Sequence, residues 1–183
     1  SYHEHNKFEK ADELIARLLR GENIAVVTDA GTPAISDPGE VLAAKCLEQG
    51  IRVASLPGAC ALITGLTMSG MPARRFCFEG FLPQKKGRNK RMLQLADEAR
   101  TMVFYESPFR VVKTLEQFST VFGADRPVSV SRELTKKFEE TVRGTLEEVT
   151  AHFRTHAPKG EFVIVLAGKT YNKGKQAEET QQE

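Results

Sequence analysis

Hydrophobic positions along the chain switch between two spacings, and each switch marks an element. Phe8, Ala11, Leu14, Ile15, Leu18 and Leu19 recur at helical spacing over residues 7 to 20, and Gly21 follows as a stop. The short β-branched run Ile24 to Thr28 (IAVVT) then predicts a buried strand, and the glycines, prolines and aspartates of DAGTPAISDPG predict a loop after it. Asp37 is placed to cap a second helix, with Pro38 at its first position, Glu40 three residues after the cap and Gly50 at its close. Ile51 to Leu56 (IRVASL) predicts the next strand. Pro57 and Gly58 turn the chain into a small-residue helix, Ala59 to Met68, that stops at Ser69 and Gly70.

The pattern then continues through a second stretch. Phe76 to Phe81 alternates as a strand, KKGRNKRMLQLADEA reads as a helix, and Met102 to Tyr105 reads as a buried strand running into Glu106, Ser107 and Pro108. A helix from about Phe109 to Phe122 ends at Gly123, a strand covers Val128 to Arg132, and a second extended segment lies near Thr141 to Gly144. Thr145 and Glu148 form a capping box for a helix reaching about His156, and Glu161 to Ala167 is a last buried strand. Strand, loop and helix thus alternate as in a parallel α/β sheet. Gly-Met-Pro-Ala near Met71 to Arg75 interrupts the order. It divides the chain into an N-terminal α/β lobe (residues 1–73), a C-terminal α/β lobe (74–168) and a polar tail (169–183) read as disordered.

Composition narrows the class without changing that picture. At 183 residues, 40% hydrophobic and 27% charged, the chain has the make-up of a water-soluble globular protein. No apolar run approaches the ~18 residues of a membrane span, and the first residues lack signal-peptide features, so a cytoplasmic protein is expected. Cys46, Cys60 and Cys77 have neither disulfide-framework nor zinc-ligand spacing, so no metal is expected. The net charge of +2 is too small to mark a nucleic-acid binder, but its distribution is uneven. Lys85, Lys86, Arg88, Lys90 and Arg91 crowd into QKKGRNKR, with Arg74 and Arg75 shortly before. Positive residues at a helix start oppose the macrodipole, which favours a phosphate-tracking patch over a merely solvated face.

In open α/β sheets ligands bind beyond the carboxyl ends of strands, and four loops stand there. DAGTPAISDPG and PGACA offer backbone polar groups beside small residues. YESPFR brings Glu106 and Arg110 to a proline turn, with a structural ion pair as the alternative. RELTKKFEE sets Arg132, Glu133 and Lys136 just after a strand, in a charge run that is otherwise ordinary solvated surface. No Walker loop, GxGxxG, Ser/His/Asp or HExxH arrangement is present, which lowers hydrolase readings.

Together, VVTDAGTPAISDPG, LPGACALITGLTMSG, FCFEGFLPQKKGRNKR, MVFYESPFR, SRELTKKFEETVRG and GEFVIVLAG resemble the tetrapyrrole methylase family, the class III S-adenosylmethionine-dependent methyltransferases. The resemblance runs from about Tyr2 to Gly168. It is closest to the branch that methylates the ribose 2′-oxygen of a decoding-site cytidine in small-subunit (16S) ribosomal RNA. It implies a two-lobed fold with S-adenosylmethionine in the cleft between lobes, held near Ala30, Gly31, Thr32 and Ile35, then Cys60 and Ala61, then Tyr105 and Glu106, then Arg132, Glu133 and Leu134. Glu106, Arg132, Glu133 and Lys136 become the catalytic candidates. Arg74, Arg75, Lys85, Lys86, Arg88, Lys90, Arg91 and Arg110 become the RNA-binding ones. A homodimer acting on the small ribosomal subunit is implied. PGACA departs from the commoner PGPSA, and Phe109 stands where histidine is frequent. The chain also begins downstream of the family's opening strand and Gly-Thr-Pro-Ile-Gly-Asn type loop, so a truncated N-terminal lobe is expected. Methylation of a porphyrin or corrin precursor, and a non-catalytic ribosome-binding module, are the competing readings.

Overall fold

The computed structural model describes residues 1–171. It divides into two compact units, Ser1–Cys60 and Ala61–Glu183. Residues 172–183 of the polar tail lie outside the described residues.

The first unit is built on two helices, α1 (Lys7–Leu19) and α2 (Glu40–Glu48). Ala11 and Leu14 of α1 meet Leu42 and Cys46 of α2 in a small buried cluster, with Ile15, Leu18, Val41, Ile24 and Ile51 packed around it. Gly21 and Gly50 take the left-handed conformation that closes each helix, and the N–H of the following residue reaches back to Arg17 and Cys46 respectively. Asp37 does not cap α2. Gly39 holds that position and no side chain bonds the helix start.

A larger difference concerns IAVVT and IRVASL, which form no strand in the structure. Ile24 and Ile51 anchor on the helical cluster, but Val27 and Leu56 are each 84% exposed. A strand requires hydrogen bonds to a neighbour, and among the described residues of this unit no strand exists to supply them.

The second unit holds helix α3 (Ala61–Ser69) and a five-stranded sheet with the order β1-β2-β5-β3-β4. Its strands are β1 (Phe76–Phe81), β2 (Thr101–Glu106), β3 (Pro127–Arg132), β4 (Glu140–Thr145) and β5 (Phe162–Leu166). The helices between them are α4 (Arg88–Gln94), α5 (Val111–Phe122) and α6 (Leu146–Thr155). Only β1 and β2 are parallel. The last strand β5 inserts antiparallel between β2 and β3, and β4 pairs antiparallel with β3, so the sheet is mixed rather than parallel. The reason is topological: β4 follows β3 through a short turn, which admits only antiparallel pairing.

Alternation along the central strands separates two apolar faces. Met102, Phe104, Val128, Val130, Ile164 and Leu166 pack with Leu115 and Phe118 of α5 and Val149 and Phe153 of α6. Val163 points the other way, against Gly65 of α3, where an added Cβ would stand 2.7 Å from Val163 Cγ1. That approach explains why α3 packs with the second unit, although the sequence reading assigns it to the first lobe. The expected capping box is present: Thr145 Oγ1 accepts the Glu148 N–H, and Glu148 returns a carboxylate to the Thr145 N–H.

Candidate functional site

In the first unit, two of the expected cofactor loops are tied to each other. Thr32 Oγ1 donates to the Ala59 carbonyl at 3.0 Å, and a Cβ on Gly31, which sits at φ +81, would stand 3.4 Å from that same oxygen. Thr28 Oγ1 donates to the carbonyls of Ala30 and Gly31 at 3.1 and 2.9 Å. Ala34 and Ser36 also hold positive φ, at 68 and 59°, so the loop stores local strain. Among the described residues the N–H groups of Ala30, Gly31 and Thr32 donate no backbone hydrogen bond. Ile35 is 38% exposed. Small, tied residues with unspent backbone donors form a surface that a polar ligand can approach closely.

In the second unit, Tyr105 and α3 are joined, because the Leu62 N–H donates to the Tyr105 hydroxyl at 3.0 Å. The Tyr105 ring packs edge-on against Phe78 and Phe81. This fixes the start of α3, at Ala61, against the end of β2. Cys60 lies partly exposed just before it.

Glu106, the next residue of β2, is 3% exposed and fully engaged. Its Oε1 accepts the Ser107 N–H at 2.8 Å and Arg110 Nε at 2.9 Å, and its Oε2 accepts the Thr114 hydroxyl at 2.7 Å. Arg88 Nη2 stands 3.6 Å from the same Oε2. A carboxylate so supplied with donors has little capacity left to take a substrate proton, so Glu106 holds the site together. Arg88 differs equally from its reading as a surface phosphate contact. It is 8% exposed, and it donates to Thr114 Oγ1 at 2.6 Å, Gln117 Oε1 at 2.8 Å and the Pro83 carbonyl at 3.3 Å. Burial of a guanidinium requires such partners, and a sequence window cannot show them.

Above this network lies a cavity of about 510 Å³, and its charged lining is entirely cationic: Lys85, Arg88, Lys90, Arg110 and Lys113. The structure thus gathers four of the expected RNA-binding residues and adds Lys113, which the sequence reading missed. The signal was available, since Arg110, Lys113, Thr114 and Gln117 fall at helical spacing on one face. Lys86, Arg74, Arg75 and Arg91 do not line the cavity. Arg91 is spent on a bidentate pair with Glu79, at 2.8 Å from each nitrogen.

The turn after β3 carries the remaining candidates. Arg132 Nε donates to Glu140 Oε2 at 2.5 Å across the β3–β4 pair, and His152 Nε2 stands 3.0 Å from the other Glu140 oxygen. Burial pushes the Glu140 carboxyl up, but the hydrogen bond from Arg132 and the contact with His152 outweigh it and hold the group below the usual range. Glu133 and Thr135 adopt positive φ, 50 and 63°, unusual for residues with side chains. Glu133 Oε1 accepts the Glu161 N–H at 3.0 Å and Lys136 Nζ at 3.1 Å. The backbone bond from Glu161 and then the Lys136 ammonium keep the Glu133 carboxyl low. Lys136 is raised by its bonds to the carboxylates of Glu161, at 2.8 Å, and Glu133. Leu134 sits between the two strained positions.

Among the described residues no group of three or more His, Cys, Asp or Glu side chains could hold a metal ion. No described helix is long and apolar enough to cross a membrane.

Comparison with known proteins places these features in context. Residues 1–150 match the family model for Tetrapyrrole (Corrin/Porphyrin) Methylases. The chain is 50% identical over 171 residues to the ribosomal RNA small subunit methyltransferase I of Synechocystis sp., covering 93% of this chain and 61% of that protein. It is 46% identical over 170 residues to the protein of the same name from Haemophilus influenzae, covering 91% of this chain and 60% of the relative. The chain therefore spans about three-fifths of the length of these relatives. Among solved structures, the methyltransferase CobJ superposes with a TM-score of 0.67 at 18% identity, covering 91% of this chain and 73% of that one. Uroporphyrin-III C-methyl transferase from Thermus thermophilus, complexed with S-adenyl homocysteine, superposes with a TM-score of 0.58 at 20% identity, covering 87% and 73%. At such identities these neighbours establish the fold alone.

Proposed function

Because the chain belongs to the tetrapyrrole methylase family, we propose that it serves methyl transfer from S-adenosylmethionine to the ribose 2′-hydroxyl of a cytidine in small-subunit (16S) ribosomal RNA. The observation that carries this reading is the 46–50% identity to relatives named for methylation of that RNA. The cavity whose charged lining is all cationic supports it, since a polyanionic acceptor calls for such a surface.

Bound S-adenosylmethionine supplies an electrophilic methyl group on a sulfonium. The unspent backbone donors of Ala30, Gly31 and Thr32 suit its polar atoms, and Gly31 keeps side-chain bulk away. Tyr105, Cys60, Ala61 and the Arg132 to Leu134 turn are the further contacts. Among the described residues Glu133 Oε2 carries no bond, so it can accept a hydrogen bond from the 2′-hydroxyl and orient it. Arg132 and Lys136 place positive charge where the hydroxyl oxygen becomes anionic. Glu106 acts through Arg88 and Arg110 as a positioning residue. The active species is taken to be a homodimer in the cytoplasm, where its ribosomal substrate lies.

The test is to incubate the protein with methyl-labelled S-adenosylmethionine and small ribosomal subunits lacking the modification, then locate the label by nuclease digestion and mass spectrometry. Label on a cytidine 2′-oxygen is the expected result. Cofactor binding without transfer to RNA would move the acceptor toward a tetrapyrrole, and loss of cofactor binding would leave a ribosome-binding module.

A further inference from the structure

The sequence points to a basic segment, QKKGRNKR, as a diffuse electrostatic track. The structure concentrates part of that charge in one place and adds to it from a different element. Lys85 and Lys90 approach from the loop and helix α4, while Arg110 and Lys113 approach from the start of α5, around a single cavity of about 510 Å³. Three observations make this a built site.

First, the three lysines are unspent and Arg110 is only partly committed. Lys85, Lys90 and Lys113 have no side-chain hydrogen bond or ion pair among the described residues. Arg110 commits only Nε, to Glu106, which leaves its two terminal amino groups free to donate. Second, the floor is rigid. Arg88, Thr114 and Glu106 are buried and mutually bonded, and Gln117 is held by Arg88 through its Oε1, leaving its amide N–H₂ as a donor. Third, Glu106 is the one carboxylate in this network and offsets a single charge beneath the lining of Lys85, Arg88, Lys90, Arg110 and Lys113, so the lining keeps a cationic excess. The first turn of α5 contains no acidic residue, and its positive dipole end adds to the same field. The excess cations held around one concavity repel each other, and an anion relieves that repulsion.

We propose that this cavity is a phosphate-binding niche in which Lys85, Lys90, Arg110 and Lys113 grip one backbone phosphate of the RNA acceptor. The assignment to RNA rests on the function proposed above. The volume lies within the ~300–1,000 Å³ range of small-ligand clefts, so a phosphate with its adjoining riboses fits. Guanidinium and ammonium groups converge on it, and contacts of that kind to phosphate fix the position of the strand rather than its sequence. Glu106 thereby positions a phosphate contact: it holds Arg110 through Nε, which leaves the terminal nitrogens to donate to the ligand.

The test compares the 183-residue chain with its Lys90→Gln/Lys113→Gln variant, both by fluorescence anisotropy on a labelled single-stranded RNA across a KCl series and by amide NMR during titration with inorganic phosphate. The substituted side chains are exposed, and the dispersion of the variant's spectrum reports directly that it is folded. In the wild type, phosphate is expected to shift the amides of Gly87, Asn89 and Lys113, and the double variant is expected to lose those shifts. Its RNA affinity should fall severalfold, and the slope of log affinity against log salt should become shallower by about 0.7–1, the share of one phosphate. RNA binding with an unchanged slope in the variant would overturn the niche while leaving the RNA reading intact. Phosphate shifts in a wild type that binds no RNA would keep the niche as a site for free phosphate and remove the RNA assignment. Absence of phosphate shifts in the wild type would overturn the niche outright.

Discussion

The two units handle the same kind of sequence in opposite ways. IAVVT in the first unit and FVIVL in the second are both short β-branched runs, yet Val27 is 84% exposed and every residue of β5 is buried. The difference lies in neighbours. β5 is bonded on one edge to β2 and on the other to β3, with α5 and α6 over one face and α3 over the other. IAVVT has helices below its first residue and no described strand beside it. An apolar alternating run is therefore a request for a partner, and it becomes a strand only where one is supplied. The functional features divide along the same line. The first unit offers a strained loop with unspent backbone donors, and the second offers a rigid, bonded network beneath a charged cavity.

Substitutions can sharpen that contrast. Ile164→Ala, in the central strand, should lower the unfolding free energy by about 2–5 kcal/mol in denaturant titrations. A loss as small as that of a surface change would contradict the packing described for β5. Gly65→Ala should cost about 1–3 kcal/mol, because its Cβ would press on Val163 where α3 meets the sheet. A smaller effect belongs to Glu98, whose carboxyl is lowered from 4.5 to about 2 by hydrogen bonds from the side chain and backbone of Arg100. A carboxylate depressed in the folded state stabilises above its unfolded pKa and loses that contribution as pH falls through the folded one. Glu98→Gln should therefore lower stability at neutral pH and flatten its acid dependence between about pH 4.5 and 2, so that variant and wild type converge at the acid end. An identical acid limb in the variant would exclude the Arg100 contact in solution. Smallest of all is Val27→Thr, which should change stability by no more than about 0.5 kcal/mol, since the side chain touches little.

What could be read from the sequence follows the same physical division. The five strands of the second unit and the Thr145–Glu148 capping box were legible because their signals are local: β-branched runs, glycine stops and a fixed spacing of cap residues. The antiparallel insertion of β5 was not, because strand order depends on pairings between residues about sixty positions apart, such as Met102 with Leu166. Arg88 read as surface because it lies in a basic run, and its partners Thr114 and Gln117 are supplied by another helix. Lys113 shares a helical face with Arg110, Thr114 and Gln117, a spacing legible in the sequence, but only the fold shows that this face borders a cavity. The candidate loops were found because glycine, proline and charge at strand ends are local signals, whereas the roles of Glu106 and Glu133 depended on which donors reach each carboxylate.

Amide hydrogen exchange followed residue by residue, with and without S-adenosylmethionine, tests the contrast between the two units most directly. Without the ligand, amides of Val103, Phe104 and Val163 to Leu166 should exchange slowly and those of Ala25 to Val27 and Val53 to Leu56 rapidly; with it, Ala30, Gly31 and Thr32 should gain protection. Slow exchange throughout Ala25 to Val27 in the free protein, or no gain of protection at Ala30 to Thr32 on adding the ligand, would contradict the division of structure and function drawn here.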